Sequence, residues 1–112
     1  MRYFYSLRID VEKDKSLLVD EILNVSHNMA NLNWGLEKII GDDDMAFDFI
    51  GYFTDILKDN YDKLRDIGIE REDIAIWMLY EYDQQCNMEF SPKELSEIGN
   101  EGITLCISCW DS

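Results

Sequence analysis

Tyr3, Tyr5, Leu7 and Ile9 alternate with Arg2, Ser6 and Arg8 at the start of the chain. A period of two predicts a half-buried strand. Phe4 breaks the polar face of that strand, which suits an edge position or cover by a helix. From Asp14 the period changes. Leu18, Ile22, Val25 and Met29 recur at helical spacing, with Leu17 and Leu23 beside them. This predicts an amphipathic helix opened by Asp14 or Ser16 as a cap. Through "HNMANLNWGLEKIIGDDD" the pattern weakens. An irregular segment is expected there, with a short helical turn at Leu36 to Ile40.

The longest predicted helix runs from Met45 to Ile67. Its apolar stripe is Ala46, Phe49, Ile50, Phe53, Ile56, Leu57 and Leu64. Gly68 follows where a left-handed cap residue is expected. Gly51 lies inside the helix, where glycine costs about 1 kcal/mol relative to alanine and so suggests close packing.

"DIAIWMLYEYDQQCNMEF" predicts a hairpin. Ile74, Ile76, Met78, Tyr80 and Tyr82 share one face, and Ala75, Trp77, Leu79 and Glu81 share the other. The turn is placed near Asp83 to Gln85, and Cys86, Met88 and Phe90 face one way on the return strand. "SPKELSEIG" then opens a short helix. Ser91 caps it, Pro92 takes its first position and Glu94 closes a capping box. Leu95 and Ile98 anchor it and Gly99 ends it. The closing "ITLCISCW" puts Ile103, Leu105, Ile107 and Cys109 on one face of a last strand. Counting the first two helices as one crossover, the order is β-α-β-β-α-β. The expected fold is α+β and ferredoxin-like (split βαβ): a four-stranded antiparallel sheet with its helices packed on one face.

Length adds that residues 1–112 form a single α+β domain. Twenty-four acidic residues oppose ten basic ones, a formal charge of −14. Nucleic acid and anionic membrane surfaces would be repelled, so neither is an expected partner, whereas a basic protein is admitted. No run reaches the roughly 20 apolar residues of a membrane span. "MRYFYSLRID" lacks the apolar core of a signal peptide. A cytoplasmic protein with reduced, buried thiols at Cys86, Cys106 and Cys109 is therefore expected.

Candidate chemistry is sparse. Cys106 and Cys109 form a C-x-x-C, but on a strand, residues three apart face opposite sides, so the two sulfurs diverge. His27, the sole histidine, has no marked nucleophile or carboxylate around it and is expected to bond a carbonyl at a helix end. Asp42, Asp43 and Asp44 lack the ligand spacing of a calcium loop. Asp44 suits a helix cap, and the charges before it complement the helix dipole. Asp48, Asp55, Asp59, Asp62 and Asp66 then recur at helical spacing on one face. Like charges so spaced disfavour a helix by roughly 0.2–0.5 kcal/mol per pair. A solvated face and a docking face are both open readings of this stripe. Tyr52 and Tyr61 are candidate aromatic anchors beside it. Among the tryptophans, Trp34 is the candidate for an exposed binding residue. No cofactor, metal or catalytic residue is expected.

"NWGLE", "FIGYFTDILKDNYDKL", "DIAIWMLYEY" and "MEFSPKELSEIGNEGITLCISCW" resemble segments of a bacterial family described as domain of unknown function 4279. The resemblance spans the C-terminal two thirds, with a shorter loop before Trp34 than members carry. It implies a small α+β domain of bacterial origin and brings no catalytic residue. The expected function is that of an immunity protein, an antitoxin that neutralises a basic protein toxin, expected to be a nuclease, through the acidic surface, as a monomer or weak homodimer. The alternative is a small-ligand-binding or regulatory domain, with its ligand on the concave sheet or near Trp34. An enzyme using Asp42 and Asp44 with a metal ranks last.

Overall fold

The computed structural model describes residues 3–41, 47–82 and 88–111. Strand β1 (Tyr3–Ile9) buries Tyr5, Leu7 and Ile9 on one face, as its period of two predicts. After a turn of 3-10 helix at Lys13–Lys15, α1 (Ser16–Leu23) buries Val19 and Leu23. Of the predicted Leu18–Ile22–Val25–Met29 stripe, Ile22 and Val25 are half-buried against the core, and Val19 and Leu23 carry the inward side. Leu17 is 70% exposed and Leu18 44%. The helix stops after eight residues because Asn24 enters the left-handed region (φ 56°), so Val25 and Met29 belong to a loop.

Gly35–Ile40 forms strand β2, not the expected helical turn. It pairs antiparallel with β1, Leu36 opposite Leu7 and Ile40 opposite Tyr3. Ile39 and Ile40 favour an extended chain at the end of the segment, and β1 supplies the neighbouring strand to hydrogen-bond. Gly35 sits at a crowded entry. A Cβ there would lie 2.8 Å from Met29 Sδ, because the preceding loop folds back onto the strand.

The predicted long helix is two helices, α2 (Phe49–Leu57) and α3 (Tyr61–Asp66). Lys58 leaves helical geometry (ψ 136°) and Asp59 takes φ 67°. Aspartate and asparagine tolerate this left-handed turn better than most residues. Asn60 Nδ2 donates to the Ile56 carbonyl at 3.0 Å, tying the turn to the helix it ends. The break allows Leu57 and Leu64 both to be fully buried. Gly68 follows α3 at φ 93°, in the left-handed conformation expected of it.

Strand β3 (Ile74–Tyr82) buries Ile74, Ile76, Met78 and Tyr80. The expected hairpin turn and Cys86 lie outside the described residues, and Met88–Phe90 is not in a strand. Helix α4 (Pro92–Glu101) opens as predicted. Ser91 Oγ accepts from the Glu94 N–H, and the Glu94 carboxylate accepts from the Ser91 N–H. It runs past Gly99 and ends at Gly102 (φ 67°), the true left-handed cap.

Strand β4 (Thr104–Asp111) completes a sheet of order β2-β1-β3-β4. β1 is antiparallel to both neighbours, but β3 and β4 are parallel. The sheet is thus mixed, and the antiparallel ferredoxin-like expectation is corrected. α4 carries the chain back to the start of the sheet, so the strand after it runs in the same direction as the one before. The helices contribute Val19, Phe49, Phe53 and Leu64 to one core with Leu7 and Ile76, on a single face of the sheet.

Candidate functional site

The acidic residues of the α2–α3 region divide by role. Asp42, Asp43 and Asp44 lie outside the described residues. Asp48, not Asp44, caps α2: its carboxylate accepts from the Gly51 N–H at 3.0 Å. A Cβ on Gly51 would collide with the Asp48 carboxylate, which explains the glycine inside the helix. Asp55 is exposed on α2, Asp59 in the turn, and Asp62 and Asp66 on α3. The break at Lys58–Asn60 therefore distributes the stripe over two helices and a turn. Asp62 pairs with Arg65 at 2.8 Å, with both side chains largely exposed.

The two tyrosines are half-buried. Tyr52 packs edge-on against Phe53, and Lys38 Nζ sits 5.3 Å from its ring centre. Tyr61 lies beneath the Arg71 guanidinium, 3.4 Å from the ring centre. Its hydroxyl is buried with no hydrogen-bond partner among the described residues. Burial, and then the nearby Glu101 carboxylate, push this phenol well above its ordinary pKa, against a smaller opposing effect of Arg71. Arg71 also donates to the Glu101 carbonyl, which joins α4 to the turn before β3.

Asp20, on α1, organises the loop that leads to β2. It accepts from the His27 N–H at 3.0 Å and from Trp34 Nε1 at 2.9 Å, and His27 Nδ1 lies 2.8 Å away. Burial raises the Asp20 pKa, but the His27 side chain, the His27 N–H and the Trp34 indole together outweigh it and hold the carboxyl below its usual range. His27 thus bonds a carboxylate rather than the expected helix-end carbonyl. Trp34, the expected exposed tryptophan, is 1% exposed.

The residues that the sequence reading missed lie on the sheet face opposite the helices. Strand register places Phe4, Ser6 and Arg8 beside Leu79, Trp77 and Ala75 there. Thr104, Cys106, Ser108 and Trp110 continue the face on β4. The helices pack on the other side, while Asn31, Leu32 and Asn33 border the Arg8 end, and Phe4, Arg8, Trp77 and Leu79 are half-buried. Arg8 Cζ lies 4.4 Å from the Trp77 ring centre, and Arg8 Nε donates to Ser6 Oγ at 3.1 Å. This stack explains how Ser6 is 1% exposed on an otherwise open face. Phe4 packs against Trp110, ring centres 6.2 Å apart. The signal was present in the period of two along β3, where Trp77 and Leu79 make the second face apolar as well.

At the Arg8 end, this face continues into a groove of about 440 Å³ that reaches Asp10, Leu32, Trp34 and Asp73. Cys106 is half-buried and Cys109 exposed, which corrects the expectation of buried thiols. As the strand geometry predicts, the two belong to opposite faces of β4. Among the described residues, no group of three or more His, Cys, Asp or Glu side chains is placed to hold a metal ion, and no helix is long and apolar enough to cross a membrane.

No protein-family model matches the chain, and no curated protein or solved structure matches it either.

Proposed function

We propose that this protein is an immunity protein, an antitoxin of the bacterial cytoplasm that binds a basic protein toxin, such as a nuclease, and blocks it without chemistry of its own. The resemblance to the family described as domain of unknown function 4279 belongs to this reading. The observation that carries it is the exposure of Asp55, Asp59, Asp62 and Asp66, of which only Asp62 is engaged in an ion pair among the described residues. These carboxylates would stand in for nucleic-acid phosphates against the toxin's lysines and arginines. Such complementarity speeds encounter and selects the partner more than it adds raw affinity. Asp48 is committed to its cap, and Asp42 to Asp44 extend the acidic run in sequence. Tyr52 and Tyr61, being packed, would contribute ring edges rather than protruding anchors.

The test is association kinetics with a panel of basic nuclease domains. The variant Asp55→Asn/Asp59→Asn/Asp62→Asn/Asp66→Asn should slow association with a captured domain by about tenfold at low salt, and by less at high salt. An unchanged association rate in a folded variant would exclude this acidic edge as the docking site.

A second reading, a small-ligand-binding domain, is favoured by the groove at Arg8 and Trp77, where an arginine stacked on an indole borders a depression with asparagine and aspartate walls. A rise in melting temperature with a carboxylate- or phosphate-bearing metabolite, abolished by Arg8→Ala, would support it.

A further inference from the structure

We propose that the open face of the sheet is a self-association surface, on which a second copy of this chain packs face to face through a two-fold axis crossing the strands. The face consists of four cross-strand rows. Arg8 and Ala75 lie in the first, Ser6 and Trp77 in the second, Phe4 and Leu79 in the third. Glu81 and Trp110 form the fourth. On β2, Glu37 joins the second row and Ile39 the third. The middle therefore holds the aromatic and aliphatic side chains with one carboxylate at its β2 margin, and the ends carry Arg8 and Glu81. At strand spacing the two ends are about 20 Å apart along the sheet.

A two-fold axis lying between the second and third rows maps this pattern onto itself. It seats the Trp77 row of one copy on the Leu79 row of the other. It brings Arg8 of each copy to Glu81 of its mate, an isologous contact in which each pair occurs twice. β1 and β3 are neighbours, so the sideways offset of about 5 Å is within the reach of an arginine side chain. Neither Arg8 nor Glu81 has an ion-pair partner among the described residues. Ile39, 54% exposed on β2, and Trp110, 38% exposed on β4, would be covered at the flanks. An apolar, aromatic-rich patch of this kind is uncommon on a surface that stays in water.

The size of the face sets the strength. Four strands by four rows present on the order of 500 Å² per copy, below the roughly 800 Å² of a standard interface. Two chains of charge −14 also repel. The dimer should thus be weak, and added salt should strengthen it by screening that repulsion. The acidic α2–α3 edge belongs to the helical layer, so the dimer leaves it accessible.

Sedimentation equilibrium over a range of protein and salt concentrations tests the proposal. A monomer–dimer equilibrium that tightens with salt is expected. Glu81→Arg is the deciding variant. It reduces the net negative charge of the chain, so general repulsion alone would strengthen association, whereas loss of the Arg8 pairing should weaken it about tenfold. The double variant Arg8→Glu/Glu81→Arg should recover most of that loss. Arg8 also stacks on Trp77, so Ile39→Ser provides a variant at an exposed position that should weaken association without disturbing the fold. A chain that stays monomeric under all conditions overturns the proposal. So does a dimer indifferent to Glu81→Arg and Ile39→Ser, which would point to pairing through a sheet edge instead.

Discussion

Asp20 Oδ1 lies 2.9 Å from Trp34 Nε1, so a carboxylate on the first helix satisfies the one polar atom of a tryptophan that is almost completely buried. The same oxygen accepts from the His27 N–H. One side chain thereby fixes both the loop that follows α1 and the entry to β2. Removing it should leave a buried indole N–H unsatisfied. Asp20→Ala should destabilise the protein by about 1–3 kcal/mol, measured by urea denaturation. Trp34 emission should change in the same variant while the fold persists.

The same site has a pH signature. The Asp20 pKa is lower in the folded chain than its ordinary 3.8. A carboxyl depressed by folding contributes stability that is fully present above its unfolded pKa and is lost as pH falls through the folded value. The stability difference between the wild type and Asp20→Asn should therefore be present at about pH 5 and shrink as pH falls below about 4. A difference that grows as pH falls below about 4 would contradict the hydrogen-bonded carboxylate seen here.

Gly51 and Asp48 should behave as a coupled pair. Glycine to alanine inside a helix ordinarily stabilises by about 1 kcal/mol. At Gly51 the new Cβ displaces the Asp48 carboxylate from its cap, and a lost cap costs about as much. Gly51→Ala alone should thus be close to neutral. In an Asp48→Ala background it should stabilise, a non-additivity measurable by a double-mutant cycle of thermal or chemical denaturation.

Asp59 carries the turn between α2 and α3 at φ 67°. Asp59→Gly relieves the left-handed strain and should hold or raise stability, whereas Asp59→Ala should lower it by about 1 kcal/mol. The opposite order would mean that the residue acts through its charge rather than its backbone. For the same reason, charge removal at this position is best made with asparagine.

Lys15 Nζ donates to the Ile67 carbonyl at 3.0 Å, joining the segment before α1 to the end of α3. Lys15→Met keeps the aliphatic stem and removes the donor. It should cost about 1 kcal/mol, with faster amide exchange confined to the end of α3.

Much of this protein was legible from neighbours in sequence. β1, β3, β4 and the capped start of α4 follow from periods of two and from "SPKE", because alternation and capping are decided within a few residues. The acidic character of the α2–α3 region was equally plain. The remainder depends on contacts made at a distance. β2 exists because β1 offers it an edge, α2 and α3 separate so that Leu57 and Leu64 both reach the core, and Trp34 is buried because Asp20 can take its N–H. The parallel pairing of β4 with β3, and a second face bearing Trp77 and Trp110 opposite the helices, likewise arise only when the helices settle on one side of the sheet. Periodicity states which residues share a face of an element; which face meets the core is decided by packing.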